Sequence, residues 1–465
     1  MNSVNKLFAP TLLSLLLAGC SLTPTYEQPT APVAASIGEA STAEPAETLE
    51  LLQWYQVFMD PQLQGLIRQG IDQNRDLREA VLNVQAARAQ YRIQHADTLP
   101  QVGIYGEAGR QRTPGSLTPT GQSDTSGLYA LGGMATYEAD FFGRIRSLSD
   151  QALQLYLASA EGHRSAQIAL VSEIANAYLT WVVDNQLLAL AQQTQQSREK
   201  TLHLVESQYK LGVATQLDLS QAKGAVYEAA SRAAEFSRRV EQAKHALQLL
   251  VGSADTLSLT APAAINTVVQ LAGIPATLPS SVLLQRPDVL AAEYKIRAAN
   301  GNIGAARAAF FPRISLTAAG GVASADLSNL FDGGAGAWSF LPRLDLPIFD
   351  FGQRQANLDL AEVQRDIRIT RYEKAIQTSF KEVADALMAR EKYIEQLQAQ
   401  EALVQEAQIS LNLSERRYET GIDSFLHVLD AQRTLFDAQQ YLLTSRLQQQ
   451  LNLVQLYRSV GGGWG

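Results

Sequence analysis

The sequence predicts an α+β membrane protein in which one strand–strand–long-helix unit occurs twice. The repetition is visible in landmarks that lie 209 residues apart, namely Phe142-Gly143 and Phe351-Gly352, Gly212 and Gly421, and Gly252 and Gly461. Because chance matches do not keep one register over half a chain, these landmarks indicate a duplication. Within each copy, alternating apolar residues predict short strands, and a proline-free heptad pattern over 68 residues predicts a long coiled-coil helix.

The N-terminal segment has the features of a bacterial lipoprotein signal. Lys6 precedes a short apolar stretch, Leu7 to Ala18, which is below the roughly 20 residues of a transmembrane helix, so residues 1–19 are predicted to be a signal peptide. The stretch ends in Leu-Ala-Gly-Cys, which resembles a lipobox, at the single cysteine, Cys20. A lipobox implies a diacylglyceryl and N-acyl lipid on Cys20 and a lipid-anchored tether over residues 20–60, whereas an unmodified thiol is the alternative. Ser21, in place of the aspartate that retains lipoproteins at the inner membrane, predicts the outer membrane as destination.

Each copy begins with a helical stretch and continues with two strand-like runs. The helical stretches, 76–96 and 288–309, close at Pro100 and Pro312, because proline cannot continue a helix. The strand-like runs are 101–110 and 128–140 in a first region of about 101–140, and 314–324 and 338–346 in a second region of about 313–348. Each run approaches the 9–11 residues with which a tilted strand crosses a bilayer. A soluble β-hairpin would show the same alternation and is an equal alternative at this point.

Each copy ends in a predicted helical hairpin, over 144–250 and 353–458. Gly212 and Gly421 follow the two long helices as C-caps, and Val213 and Ile422 lie in the predicted turns at the periplasmic tip. Arg390 is the one break in the apolar heptad register of the second long helix. The predicted domains are a first repeat at 61–252, a linker at 253–278, a second repeat at 279–462 and a tail at 463–465.

The predicted strands require an oligomer. Four strands in one chain cannot close a barrel, and open sheet edges are not tolerated in lipid. Three chains would supply 12 strands, an even number within the known range of such barrels. The predicted assembly is therefore a homotrimer with a 12-stranded outer-membrane β-barrel on a long periplasmic α-helical coiled-coil barrel.

Several classes of function are excluded by the sequence. The net charge of −8 and the pI near 5.3 exclude a basic nucleic-acid-binding face, so no nucleic acid is expected as partner. The five histidines show no metal-ligand spacing, and no cysteine pair is available for zinc. The sequence also lacks a phosphate-binding loop and a nucleophile elbow. No enzymatic activity, metal or dissociable cofactor is predicted.

Motifs along the whole chain carry a family resemblance. They are the lipobox, Trp54 to Leu63, Glu138 to Arg144, Arg286 to Asp288, Asn302 to Pro312, Leu429 to Arg433 and Gly461 to Gly463. In this order they resemble the outer-membrane factors of tripartite efflux pumps, in the lipidated OprM-like or NodT-like branch of the TolC superfamily. The resemblance implies a trimeric exit duct for drugs or other small toxic compounds. Its implied partners are a periplasmic adaptor (membrane fusion protein), an inner-membrane transporter of the resistance-nodulation-division (RND) class and outer-membrane lipid.

The resemblance also assigns a gate near the tip of the second hairpin. Tyr418, Leu426, Asp430 and Arg433 match the family's gating positions. Residues three and four apart share a helix face, so Leu426, Asp430 and Arg433 would form rings in a trimer. The equivalent residues of the first copy are Leu217, Gln221 and Gly224, which favours a threefold over a sixfold gate. The alternative is an ordinary surface ion pair.

Other interpretations of the whole chain and of its tips remain open at this point. A type I protein-secretion duct would have the same fold with a different cargo. A non-conducting periplasmic coiled-coil scaffold would need neither the strands nor a pore. The two tip turns are predicted to bind the adaptor, and simple chain reversal is the alternative.

Overall fold

The computed structural model describes residues 21–38, 53–261, 264–271 and 274–463. Cys20 and residues 39–52 of the predicted tether lie outside this part. The chain divides into two compact units, each described by itself below. The described part of the sheet unit is 21–30, 83–160 and 291–372, and the rest of the described chain forms the hairpin unit.

The helices and strands follow the predicted order in both copies. The helices are α1 (Trp54–Val57), α2 (Pro61–Gln73), α3 (Arg75–Ala96), α4 (Arg144–Lys210), α5 (Gln216–Val251), α6 (Pro287–Ala308), α7 (Gln353–Glu419) and α8 (Phe425–Ser459). The strands are β1 (Ser36–Ile37), β2 (Gln101–Thr113), β3 (Asp124–Ala139), β4 (Leu278–Pro279), β5 (Arg313–Ser324) and β6 (Gly336–Asp345). The helices α1 and α2 and the short strands β1 and β4 were not predicted.

The sheet unit contains one antiparallel sheet made from both copies. Its strand order is β2-β3-β5-β6, so β3 and β5 join the hairpin of the first copy to that of the second. The register at this junction pairs Tyr137 with Leu316 and Gly132 with Gly321. The strands β2 and β6 have one neighbour each, so both edges of the sheet are open within the chain.

The centre of the sheet depends on glycine at the junction of the two copies. A Cβ atom at Gly321 would overlap the carbonyl oxygen of Leu131, and a Cβ at Gly132 would lie 2.7 Å from the carbonyl oxygen of Gly320. The neighbouring Gly320 has open space around its own Cβ position. Glycine in a strand interior often marks such a close backbone approach.

The first described residues of the predicted tether are docked in the sheet unit. The Thr23 hydroxyl lies 3.0 Å from the Ser147 hydroxyl, and a Cβ at Gly304 would overlap Thr23. Three residues further on, the Tyr26 hydroxyl donates to Glu293 over 3.0 Å, and the Arg297 guanidinium lies 4.5 Å from the centre of the Tyr26 ring. Residues 23–26 are therefore a fixed strap and not a free tether.

In the hairpin unit, the later part of the predicted tether belongs to the core. Trp54, Val57 and Phe58 are buried together with residues of α4, α5 and α8 in one apolar cluster. The prediction of a tether extending to residue 60 is therefore wrong for this segment, because its apolar side chains are buried with those of the helices and anchor it there.

The same unit shows the duplication at the level of single contacts. The Asn74 side chain donates to the carbonyl oxygen of Leu250 over 2.9 Å, and Arg286 donates to that of Ser459 over 2.6 Å. These two contacts occupy matching positions, at the start of each copy and at the end of its return helix. Gly252 and Gly461 follow those helices with φ angles of 67° and 105°.

The linker between the copies is held on the hairpin unit. The strands β1 and β4 pair antiparallel, and Arg390 donates to the carbonyl oxygen of Ile274 over 2.9 Å. This bond explains the break in the heptad register, since the long side chain at position 390 binds the linker instead of filling a helix–helix seam. The linker is thus part of the packed structure.

Gly321→Ala tests the close approach at the centre of the sheet. We expect a loss of roughly 1–3 kcal/mol in the free energy of unfolding, because the added methyl group would have to displace a paired strand. The measurement is the guanidinium unfolding midpoint of the purified protein in detergent. Gly320→Ala is the matched control and should change the free energy by less than about 0.5 kcal/mol. Equal effects of the two substitutions would show that the close approach is not limiting.

Candidate gate and membrane-facing surfaces

One face of the four-stranded sheet is apolar and the other is mostly polar. Side chains alternate along a strand, and residues paired across strands share a face. Two paired rows on the apolar face are Val102, Ala135, Ala318 and Phe340, and Ile104, Gly133, Gly320 and Trp338. In this chain Ile104 is 91% exposed and Trp338 is 84% exposed, so the face is an uncovered apolar surface. Such a surface requires lipid or protein as its neighbour.

The opposite face carries hydrophilic residues and an ion-pair cluster. A paired row on this face is Gln101, Thr136, Thr317 and Leu341, so it is polar at three of its four positions. Next to it, the Glu138 carboxylate accepts bonds from Arg144 at 2.8 and 2.9 Å and from Arg313 at 2.6 Å. The cluster connects the end of β3 to the first residue of α4. It leaves Glu138 bound to two cations, so this carboxylate is not available as a base.

The two hairpin turns have the same conformation. Gly212 and Gly421 have φ angles of 78° and 73°, in the left-handed region that favours glycine. The Val213 amide donates to the carbonyl oxygen of Gln208 and the Ile422 amide to that of Arg417, both over 2.9 Å. The apolar side chains of Val213 and Ile422 are exposed at 74% and 64%. Each turn therefore presents uncovered apolar side chains at the end of its hairpin, Val213 with the neighbouring Leu211 in the first and Ile422 in the second.

Three of the four predicted gate residues lie together on one surface of α8. Leu426 is 58% exposed, and Asp430 forms an ion pair with Arg433 at the surface. The opposite side of the same helix turns is buried, because Phe425 and Val428 belong to an apolar cluster. This tip cluster consists of Val205, Leu219, Ala222, Phe425 and Val428, with Leu202, Ala214, Leu411, Tyr418 and Leu429 packed against it.

Tyr418, the fourth predicted gate residue, is not part of this surface. Its hydroxyl donates to Gln208 over 2.6 Å, and its ring centre lies 5.4 Å from that of Phe425. Burial raises the pKa of Tyr418, which keeps the phenol protonated as a donor. In the chain as folded here, Tyr418 therefore connects the tip of the second hairpin to the first. No described contact joins it to Asp430 or Arg433.

The structure also contains a polar cavity that sequence reasoning missed. It has a volume of about 280 Å³ and lies between α4, α7 and α8. Gln432 and Arg198 are buried in its wall, and neither side-chain polar atom of Gln432 has a hydrogen-bond partner. Burial and the neighbouring Glu419 raise the pKa of Glu415, which also lines the cavity, and interaction with the Gln432 amide partly opposes this rise. An unpaired buried polar group costs roughly 1–3 kcal/mol, so this region departs from ordinary core packing. The sequence feature that could have indicated this cavity is Gln432, a polar residue between buried positions of α8.

The helix α4 is the one described helix that is long and apolar enough to cross a membrane. Of its most apolar stretch, 61% is buried inside the protein, and Ile174, Tyr178 and Val182 are fully covered core residues. Most of this stretch is therefore covered by protein. Among the described residues, no group of three or more His, Cys, Asp or Glu side chains is placed to hold a metal ion.

Comparisons with known proteins agree over nearly the whole chain. The family model described as "Outer membrane efflux protein" matches residues 66–253 and 278–462. The chain is 47% identical to the antibiotic efflux pump outer membrane protein ArpC and to the toluene efflux pump outer membrane protein TtgC, both of Pseudomonas putida. Each alignment covers 99% of this chain and 96% of the relative. The open-state crystal structure of the MtrE outer membrane channel of Neisseria gonorrhoeae is similar with a TM-score of 0.86 and 36% identity, over 96% of this chain and 99% of that chain.

Proposed function

The chain belongs to the outer membrane efflux protein family, and on that premise we propose that three copies form one continuous exit channel. Members of this family are outer-membrane efflux channels and not enzymes, and they act with an adaptor and an inner-membrane transporter. The observation that carries the threefold assembly is the four-stranded sheet with one uncovered apolar face and two open edges.

The open edges determine how such an assembly closes. In a bilayer, every backbone donor and acceptor needs a partner within the protein. Pairing β6 of one chain with β2 of the next chain would satisfy both edges, and three chains would give 12 strands. The row of Ile104 and Trp338 would then face lipid, and the row of Gln101 and Thr136 would face a water-filled lumen. The helical hairpins of all three chains would then line the periplasmic tunnel.

The cargo is proposed to be small toxic molecules. The matched relatives are named for the efflux of an antibiotic and of toluene, which favours drugs and apolar solvents over a secreted protein. The chain has no nucleotide-binding motif, so conduction would be passive and an RND-class transporter would supply the energy. The family's membership of efflux pumps argues against the scaffold alternative.

The lipid anchor rests on the lipobox and on the strap that follows it. Thr23 and Tyr26 are held in the sheet unit, so an acylated residue three positions before Thr23 would lie within about 11 Å of Thr23. A lipid at that position would anchor the chain beside its own sheet.

Cys20→Ala tests the anchor. We expect the substitution to remove radioactive palmitate from the protein, because the thiol is the acceptor of the first lipid. Autoradiography of the immunoprecipitated protein gives the result, and Ser21→Ala is the control that keeps the lipobox. Equal label on the Cys20→Ala protein would exclude lipidation at this residue.

The gate is proposed to consist of Leu426, Asp430 and Arg433 from each of the three chains. Their shared exposed surface on α8 would repeat three times around the tunnel axis as one apolar and one charged ring. The first copy has no ion pair at the equivalent positions, because they hold Gln221 and Gly224. A resting channel needs such a closure, since an open one would remove the barrier of the outer membrane.

Removing both charges should weaken the closed state. In the double variant Asp430→Ala with Arg433→Ala, we expect vancomycin uptake to rise about threefold or more, because three exposed ion pairs of roughly 0.2–1 kcal/mol each would be lost. Uptake is measured at equal amounts of assembled protein. Asp437→Ala, which removes an exposed carboxylate from the same helix, is the control. Wild-type exclusion in the double variant would contradict the gate.

The two hairpin turns are proposed to bind the periplasmic adaptor. Their exposed apolar residues, Val213 and Ile422, would become buried on docking. We expect cysteines at these two positions to form cross-links with the adaptor in cells that contain the assembled pump. Leu249→Cys, at a residue that is 80% exposed elsewhere on the hairpin unit, is the control and should give no adduct. Adducts at Leu249 alone would place the adaptor elsewhere.

A further inference from the structure

The polar cavity lies where the gate end of α8 leaves the tip cluster. Along α8, Phe425 and Val428 belong to the tip cluster, whereas Phe436 belongs to the large apolar core of the hairpin unit. Along α4, Val205 belongs to the tip cluster and Ala191 to the large core. The cavity lies in the interval between these two packed regions, from Leu190 to Arg198 on α4 and from Gln432 to Gln439 on α8, where Leu435 and Ala438 also pack on Ala407 of α7 in a small apolar cluster.

The side chains around this cavity leave several polar groups without partners. Gln432 is only 8% exposed; its amide interacts with Glu415 and opposes the rise in the pKa of that carboxyl, but neither its Nε2 nor its Oε1 meets the geometry of a hydrogen bond. Arg198 is 5% exposed; its Nη1 donates to Glu228 and to the carbonyl oxygen of Ala225, but its Nε has no partner. Glu415 faces the same space from α7. Buried groups of this kind are normally satisfied by ordered water when the space is polar and large enough, as it is here.

The position of Gln432 links the cavity to the gate surface. Gln432 lies between Asp430 and Arg433 in the chain but points to the buried side of α8, whereas those two residues are exposed. Any displacement of the gate turn of α8 must therefore move Gln432 within the cavity. A tightly packed apolar seam resists such movement, because its side chains interlock. Hydrogen bonds through water can be exchanged for others with little change in enthalpy.

From these observations we propose that the cavity is a hydrated joint, in which ordered water bound to Gln432, Arg198 and Glu415 lets the gate end of α8 shift against α4. This proposal rests on the proposed gate, because a shift of α8 is needed only if the gate opens and closes. It divides the hairpin unit into a tip that can reorient and a core that cannot. The first copy has Lys223 at the position equivalent to Gln432, so the joint belongs to the second hairpin alone.

Replacing the amide with an apolar side chain of similar volume tests the joint. In Gln432→Met, the water site should be lost and the tip should become fixed in the closed arrangement. We expect pump-dependent drug efflux per channel to fall about fivefold or more, while vancomycin exclusion stays at the wild-type level. Gln450→Met is the matched control. Gln450 is equally buried on α8 but has a partner, the Val269 amide at 3.3 Å, and lies outside the cavity. Its efflux per channel should be unchanged.

The result can be separated from a failure of the gate. Wild-type efflux in Gln432→Met, at equal levels of assembled protein, would overturn the joint. The Asp430 and Arg433 variants decide the gate independently, through vancomycin uptake. Should Gln432→Met not assemble, a cryo-electron microscopy map of the wild-type channel that resolves water decides the case. Ordered water bonded to Gln432 and Arg198 supports the joint, and a cavity that is dry or closed by direct side-chain contacts contradicts it.

Discussion

A sheet in a bilayer cannot leave its edges unpaired, and the rest of this structure depends on that constraint. The chain supplies four strands with an uncovered apolar face and open edges on β2 and β6. Alone, it would expose unsatisfied backbone groups to lipid, where each costs several kcal/mol. The proposed closure by three copies satisfies these groups and at the same time creates the lumen. A channel is then a direct consequence of how the sheet is completed.

Because of the duplication, each chain supplies two nearly equivalent segments of the channel wall. The contacts of Asn74 and Arg286 with the ends of the two return helices show that the copies still share a single design. The proposed gate and the proposed joint lie where the two repeats have diverged. The ion pair of Asp430 and Arg433 and the buried Gln432 occur in the second copy alone, so a nearly sixfold wall would carry threefold moving parts.

The regular elements could be predicted because their signals are local. Alternation along a strand and heptads along a helix are visible in one segment, and the predicted strand and helix ends agree with the structure to within a few residues. Contacts between distant segments could not be predicted in this way. Arg390 breaks the heptad because it binds Ile274, which lies 116 residues away. The segment around Trp54 was assigned to the tether because a short helix has little periodicity, although its apolar residues belong to the core.

The placement of the candidate gate residues could be predicted in part, for the same reason. Leu426, Asp430 and Arg433 follow helix spacing and share a surface, whereas the orientation of Tyr418 depends on Gln208 of the other copy. The cavity beside Gln432 depends on three helices at once, and no single segment reveals it. Sequence patterns therefore identify the long helices and the strands of this protein well. The structure is needed for the contacts between distant segments.

In the proposed channel, the sheet is completed by other molecules of the same chain. The most direct measurement is the mass of the folded particle extracted from the outer membrane, determined by native mass spectrometry after release from detergent. A particle of three chains, in which every edge strand has a neighbour, is expected. A folded particle of one or two chains, with the sheet intact, would contradict it.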